Sequence, residues 1–324
     1  SEALKICHQE KYGNFVLERL FSRLQDSEIT LVLLLDEFDV LVDHVGFQQA
    51  EFYGGRRALA SRYSSLAMVI ASRQTLTEIN LHTQECSRNG SPFSNIMYEV
   101  FVGPLTEKEI IELLIPAESK FTGKDRRYLN DIAGSHPYLM QVACSMLWEI
   151  YEDGKMNPAE RLETVGETFF GQVSPALSDT WRLWNSEMKK AFTIIALDEL
   201  PILIGGKQFD INSLIAELTS YTPELRELKK RGFICEDSEM ASGWSIDASV
   251  MLWWIADEWI KALRKQDDLS LWLNNQGWDG GILKNNERKQ LIGAVKGTSL
   301  FLKDGVQMFI KAAAEGFGKG VSTS

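Results

Sequence analysis

The sequence predicts an α/β core built on a parallel sheet, followed by an all-helical region, a domain of three helices and a hairpin, and a helical tail. Three observations carry this expectation. Two continuous apolar runs, Leu31–Leu35 and 66–71, are separated by a polar, helix-forming segment. A long helical stretch at 125–151 is interrupted by Gly134-Ser135-His136-Pro137. Three short amphipathic stretches then precede two β-prone segments, 232–235 and 244–246. The boundaries expected from these patterns are 1–105, 106–185, 186–262 and 263–324.

The elements follow in order. Phe15, Leu17, Leu20, Phe21 and Leu24 recur at helical spacing, and the polar residues from Asp26 to Glu28 end that helix. The five apolar residues that follow do not alternate, as expected for a parallel strand covered on both faces. A second such run after an intervening helix implies a right-handed crossover unit. A third apolar segment, 97–102, reads as another strand, ending at Gly103-Pro104-Leu105-Thr106; there Thr106 is placed to cap a helix carrying Glu107 and Glu109 in its first turn. The sheet is expected to stop by Phe101. Pro137 and the residue before it disfavour a continuous helix, so the helical region should be kinked there. Segment 156–185, with Pro158, Gly166, Gly171 and Pro175, reads as a connector. Helices are expected at 189–197, 211–218 and 223–231, then the hairpin. In the tail, Leu302, Val306, Phe309, Ala313 and Phe317 share one helical face that needs cover.

At 324 residues the chain exceeds one ordinary domain of roughly 150 residues, and its 44% hydrophobic and 24% charged composition is that of a folded protein. A formal charge of −11 repels phosphate backbones and makes nucleic acid an unfavoured partner. Four cysteines and four histidines are scattered without paired spacing, which argues against a disulfide framework or zinc site and fits a reducing cytoplasm. No apolar run approaches the roughly 20 residues of a membrane span. The sequence opens without an initiator Met or a signal pattern, so the natural protein is expected to begin upstream.

The chemistry centres on Asp36-Glu37-Phe38-Asp39, which closes the first apolar run. Ionised side chains at the carboxyl end of a parallel strand are costly unless a cation or donor meets them. In this reading Asp36 holds Mg2+ through water and Glu37 polarises the water that attacks a γ-phosphate. Asp39 is left open between capping the following turn and supporting Arg73.

These residues resemble the STAND branch of the P-loop ATPases, related to the AAA+ proteins, and especially the bacterial AAA-like ATPases. The resemblance spans about 15–260. Leu31 to Asp39 looks like their Walker B strand, and Ser72-Arg73 looks like the sensor 1 position that reads the γ-phosphate. Gly134, His136 and Pro137 belong to an element similar to the family's Gly-x-x-Pro lid motif, which packs against nucleotide. Residues 189–260 resemble the winged helix that follows the lid. The resemblance implies the carboxyl-terminal part of a P-loop sheet and an ATP-binding and ATP-hydrolysing signalling switch of bacterial stress or defence. Mg2+ and ATP would be its ligands, and self-association or an effector its output.

One departure is important. No Gly-x-x-x-x-Gly-Lys-Ser/Thr loop is present; Gly205-Gly206-Lys207-Gln208 lacks the hydroxyl residue, and Gly316-Phe317-Gly318-Lys319-Gly320 follows no strand. Thirty residues before Leu31 leave no room for that loop with its strand and helix, so truncation before or through the Walker A region, or defective nucleotide handling, is expected. The fragment alone should then bind ATP poorly and be inactive.

Two other readings stay open. A DNA-binding regulator would use Arg226, Lys229, Lys230 and Arg231 on the third helix, although a solvated face explains them as well. A degenerate ATPase acting as an interaction module would use the tail, where ten Lys or Arg face six Asp or Glu from Lys261 onward. The clustered tryptophans Trp181, Trp184, Trp253, Trp254 and Trp259 read as helix packing, and no hydrolase triad or dinucleotide fingerprint is present.

Overall fold

A computed structural model describes residues 13–47, 50–86, 92–154, 157–203, 211–266 and 305–316. The chain divides into two compact units, Ser1–Phe101 and Val102–Ser324.

In the first unit, α1 (Asn14–Asp26) buries Val16 and Phe21. It ends in a Schellman arrangement: the Ile29 N–H donates to the Leu24 carbonyl at 2.9 Å and the Glu28 N–H to the Gln25 carbonyl at 3.0 Å. Glu28 holds the left-handed conformation that a glycine usually supplies there, with φ 56°. Strand β1 (Leu31–Leu35) follows, then α2 (Phe38–Asp43), a 3-10 turn, α3 (Ala50–Arg62) and β2 (Leu66–Ile70). The two strands pair in parallel, from Leu31 opposite Leu66 to Leu35 opposite Ile70. Helix α4 (Leu76–Cys86) and a 3-10 turn (Phe93–Ile96) complete the unit.

The strands are covered differently from the expectation. Leu33, Leu35, Met68 and Ile70 pack into two small clusters around Phe21 and Phe38. Their neighbours Val32, Leu34 and Val69 are 50%, 75% and 57% exposed, so one face lacks cover among the described residues. Segment 97–102 forms no strand. Tyr98, Val100 and Val102 are exposed, and no ladder partner for it occurs among the described residues. A strand exists only through its pairing, so an apolar pattern alone does not make one.

The second unit has one continuous core running from Leu114 to Ala314. Helix α5 (Glu107–Leu114) starts in a capping box between Thr106 and Glu109, and α6 (Gly123–Ala133) in one between Thr122 and Asp125. Helix α7 (Pro137–Asp153) follows the Gly134 break. The expected connector is instead a 26-residue helix, α8 (Pro158–Leu183). It buries Leu162, Val165, Phe169, Val173, Leu177 and Trp181, a stripe at steps of three and four that outweighs the interior Pro175. Asn157 and Asn185 supply the breaks: each side chain accepts a backbone N–H of the following helix, from Glu160 at 3.0 Å and from Met188 at 2.7 Å.

Helices α9 (Ser186–Leu203), α10 (Asn212–Glu217) and α11 (Thr222–Lys230) lead into an antiparallel hairpin, β3 (Ile234–Glu236) with β4 (Trp244–Ile246). Helix α12 (Ser249–Gln266) follows, and all five clustered tryptophans are buried. The last helix, α13 (Gly305–Glu315), buries Phe309, Ile310, Ala313 and Ala314 in the same core. Its apolar face is thus covered by this chain. Gly166 makes that possible, because a Cβ there would lie 2.6 Å from the Ile310 side chain. Leu302 and Phe317 lie outside the described residues.

Candidate functional site

The parallel pair brings Asp36, Glu37, Asp39 and Arg73 to one end of the first unit. Two backbone hydrogen bonds fasten that end: Ala71 N–H to the Leu35 carbonyl at 2.8 Å, and Phe38 N–H to the Ala71 carbonyl at 3.0 Å. Two residues, Asp36 and Glu37, separate the strand from the helix. Phe38 must enter the core, where it is 1% exposed and stacks on Phe93 at 5.6 Å between centroids. Glu37 absorbs the turn in the left-handed region, φ 49° and ψ 44°, at a cost of about 1–2 kcal/mol for a residue with a Cβ. Strain of this kind in a non-glycine residue collects at functional sites.

Asp36 and Glu37 are exposed. Asp36 Oδ1 accepts the Glu37 N–H at 2.9 Å. Asp39 is the opposite case, with a side chain 4% exposed beside Arg73 at 58%. Its Oδ2 accepts Arg73 Nε at 2.9 Å and Nη2 at 2.8 Å, and its Oδ1 accepts the Arg73 backbone N–H at 3.4 Å. Of the two roles open to Asp39, support of Arg73 is the one the geometry displays. Among the described residues no three His, Cys, Asp or Glu side chains converge as a metal cage. That donor set fits a Mg2+ shared with phosphates and water, which needs only one or two carboxylates.

Gly134, His136 and Pro137 belong to the second unit, where Gly134, Ser135 and His136 lie beside Asp247. Gly134 has φ 56°, and a Cβ on it would lie 2.5 Å from Asp247 Oδ2. That carboxylate oxygen accepts the Ser135 N–H at 2.7 Å and the Ser135 hydroxyl at 2.6 Å. His136 precedes α7 without capping it through its side chain, and its ring lies 5.5 Å from that of Phe233. Burial lowers its pKa below the usual histidine value, against the opposing pull of Asp247. Its Nδ1 is buried without a hydrogen-bond partner among the described residues. Sequence reasoning missed Asp247, which lies 112 residues from Ser135 and has no local motif to mark it.

Two of the four basic residues at the end of α11 meet acids. Lys229 Nζ lies 2.6 Å from Glu236 and Arg231 Nε 2.7 Å from Glu227. The glycine-rich segment 205–208 and residues 317–320 lie outside the described residues. No described helix is long and apolar enough to cross a membrane.

One end of the parallel pair thus holds two exposed acids, Asp36 and the strained Glu37, with the Asp39–Arg73 ion pair after β2. Residues 12–191 match the family described as Novel STAND NTPase 2, and the chain belongs to that family of STAND-type NTPases. The match includes Asp36, Glu37, Asp39, Arg73 and the loop at Gly134–Pro137 and ends inside α9. No curated protein and no solved structure matches the chain.

Proposed function

We propose that this chain carries the hydrolytic and sensing part of an ATP-dependent signalling switch, in which Mg2+-dependent hydrolysis at Asp36 and Glu37 resets the state. The observation that carries the reading is Glu37, an exposed acid held in a left-handed conformation directly after β1 and beside Asp36. Asp36 would hold Mg2+ through water. The metal would neutralise charge developing on the phosphates. Glu37 would take the proton of the attacking water, and Arg73 would read the γ-phosphate.

The fold proposed with it is the carboxyl-terminal part of a P-loop sheet, a helical lid and a winged helix. The parallel β1–β2 pair supports the first, and three helices with an antiparallel hairpin support the last. Gly134, His136 and Pro137 are proposed to pack against nucleotide. Cytoplasmic residence, self-association or release of an effector, and a role in bacterial stress or defence complete the reading. The ion pairs on α11 weigh against the alternative of a DNA-binding regulator, because neutralised side chains release fewer counterions from a phosphate backbone.

The test is Glu37→Gln in the full-length protein. ATP binding should persist while turnover falls by about 10²–10⁴, the usual contribution of a general base. Turnover equal to wild type would remove Glu37 from the mechanism and the reading with it.

A further inference from the structure

We infer that Asp39 is a positioning residue that fixes which edge of the Arg73 guanidinium is offered to the γ-phosphate; this rests on the nucleotide reading above. A guanidinium has two forked edges, one made by Nε with Nη2 and one by Nη1 with Nη2. Asp39 occupies the first, through 2.9 and 2.8 Å contacts to a single oxygen. Its second oxygen faces the Arg73 backbone N–H at 3.4 Å, so both ends of the residue are tied to one carboxylate. The Nη1–Nη2 edge is the one left over, and its two parallel N–H bonds match two oxygens of a phosphate.

The burial difference gives the pair its direction. Asp39 is fixed in the first turn of α2, where it is 4% exposed, whereas Arg73 is 58% exposed. An anchor that is buried and a cation that is open make the arginine the oriented partner. A carboxylate that only stabilised the turn would need no second edge of the guanidinium free.

The two roles separate on discrimination between ATP and ADP, measured with Mg2+ present by equilibrium binding to the full-length protein. Arg73→Ala and Asp39→Asn should each lower the preference for ATP about tenfold, the scale of one charge-assisted contact. The double variant should be no worse than either single one, because both act through one guanidinium. Arg73→Lys is the control for folding: it retains a cation for the buried carboxylate yet has no second fork, and it should lose the preference as Arg73→Ala does. Full preference in a folded Asp39→Asn protein, losses that multiply in the double variant, or full preference in Arg73→Lys would each overturn the assignment. If Glu37→Gln leaves turnover untouched, the nucleotide reading fails first and carries this one with it; if Glu37→Gln behaves as proposed and Asp39→Asn does not, only the positioning role fails.

Discussion

The two units differ in how completely they cover themselves. In the second, a single core embraces α5 to α13 and leaves Phe169, Trp253 and Trp259 at 1% exposure or less. In the first, two small clusters cover one face of two strands, and Leu34 on the other face is 75% exposed. The candidate acids and arginine, Asp36, Glu37, Asp39 and Arg73, lie in the sparsely covered unit. There the backbone at Glu37 is strained and one ion pair holds Arg73. The well-covered unit contributes packing, caps and a carboxylate latch. The difference teaches that order around the site is supplied by a few specific contacts, whereas order in the second unit is supplied by area.

The largest expected effect breaks that comparison most directly. Phe169→Ala should destabilise the protein by about 3–5 kcal/mol, since its ring is fully buried and its neighbours are helices that cannot collapse freely. Leu34→Ala should cost less than about 0.5 kcal/mol, as for surface changes away from special features. Denaturant midpoints of the two variants measure both. A cost at Leu34 near that at Phe169 would mean that the open strand face is covered in solution, and the contrast between the units would disappear.

A middle-sized effect sharpens the picture of the second unit. Gly166→Val places a branched side chain where Ile310 already stands 2.6 Å from an added Cβ, and overpacking of this kind costs about 1–3 kcal/mol. Adding Ile310→Ala should recover part of the loss, because the two changes share one space and are not independent. Thermal midpoints of the single and double variants decide it. If the double variant shows the sum of the two losses, α13 does not depend on Gly166 for its seat.

Local signals in the sequence were sufficient for some elements and not for others, and the reason is range. Leu31–Leu35 with its terminal acids, the Thr106 cap and the hairpin after Gly232 are each specified by neighbouring residues, and each is found at its expected place. Segment 97–102 carries the pattern of a strand but makes no ladder, because pairing depends on a partner that the pattern does not name. Segment 156–185 carries breakers, yet its buried stripe meets α7 and α13, and tertiary burial overrides the local preference. In the site, Asp36 and Glu37 are legible from their position after an apolar run. The Asp39–Arg73 pair spans 34 residues and the Ser135–Asp247 contact 112, so only the fold brings them together.

The smallest effect concerns the latch of the second unit and its dependence on pH. Burial lowers the His136 pKa and so favours the neutral ring in the folded chain, with Asp247 opposing that shift. As pH falls through the ordinary histidine range near about 6.5, the unfolded chain takes up a proton before the folded one does. Stability contributed by the neutral ring is therefore complete above that range and declines below it, until the folded ring is protonated as well. Asp125 does not enter this window. Burial pushes its carboxyl up, but hydrogen bonds from Thr122, Tyr151 and Arg161 outweigh that and leave it below the usual carboxylate range. Nor does Cys144, whose thiol burial raises to about 11. His136→Gln should therefore flatten part of the loss in denaturant stability between about pH 7.5 and 5.5, by less than about 1.4 kcal/mol for each unit of pKa difference. The two proteins differ only at residue 136, so the difference between the two pH profiles isolates His136. Profiles that run parallel across that interval would show the ring free to accept its proton in the folded state, and the junction of His136, Phe233 and Asp247 would then be open to solvent instead of sealed.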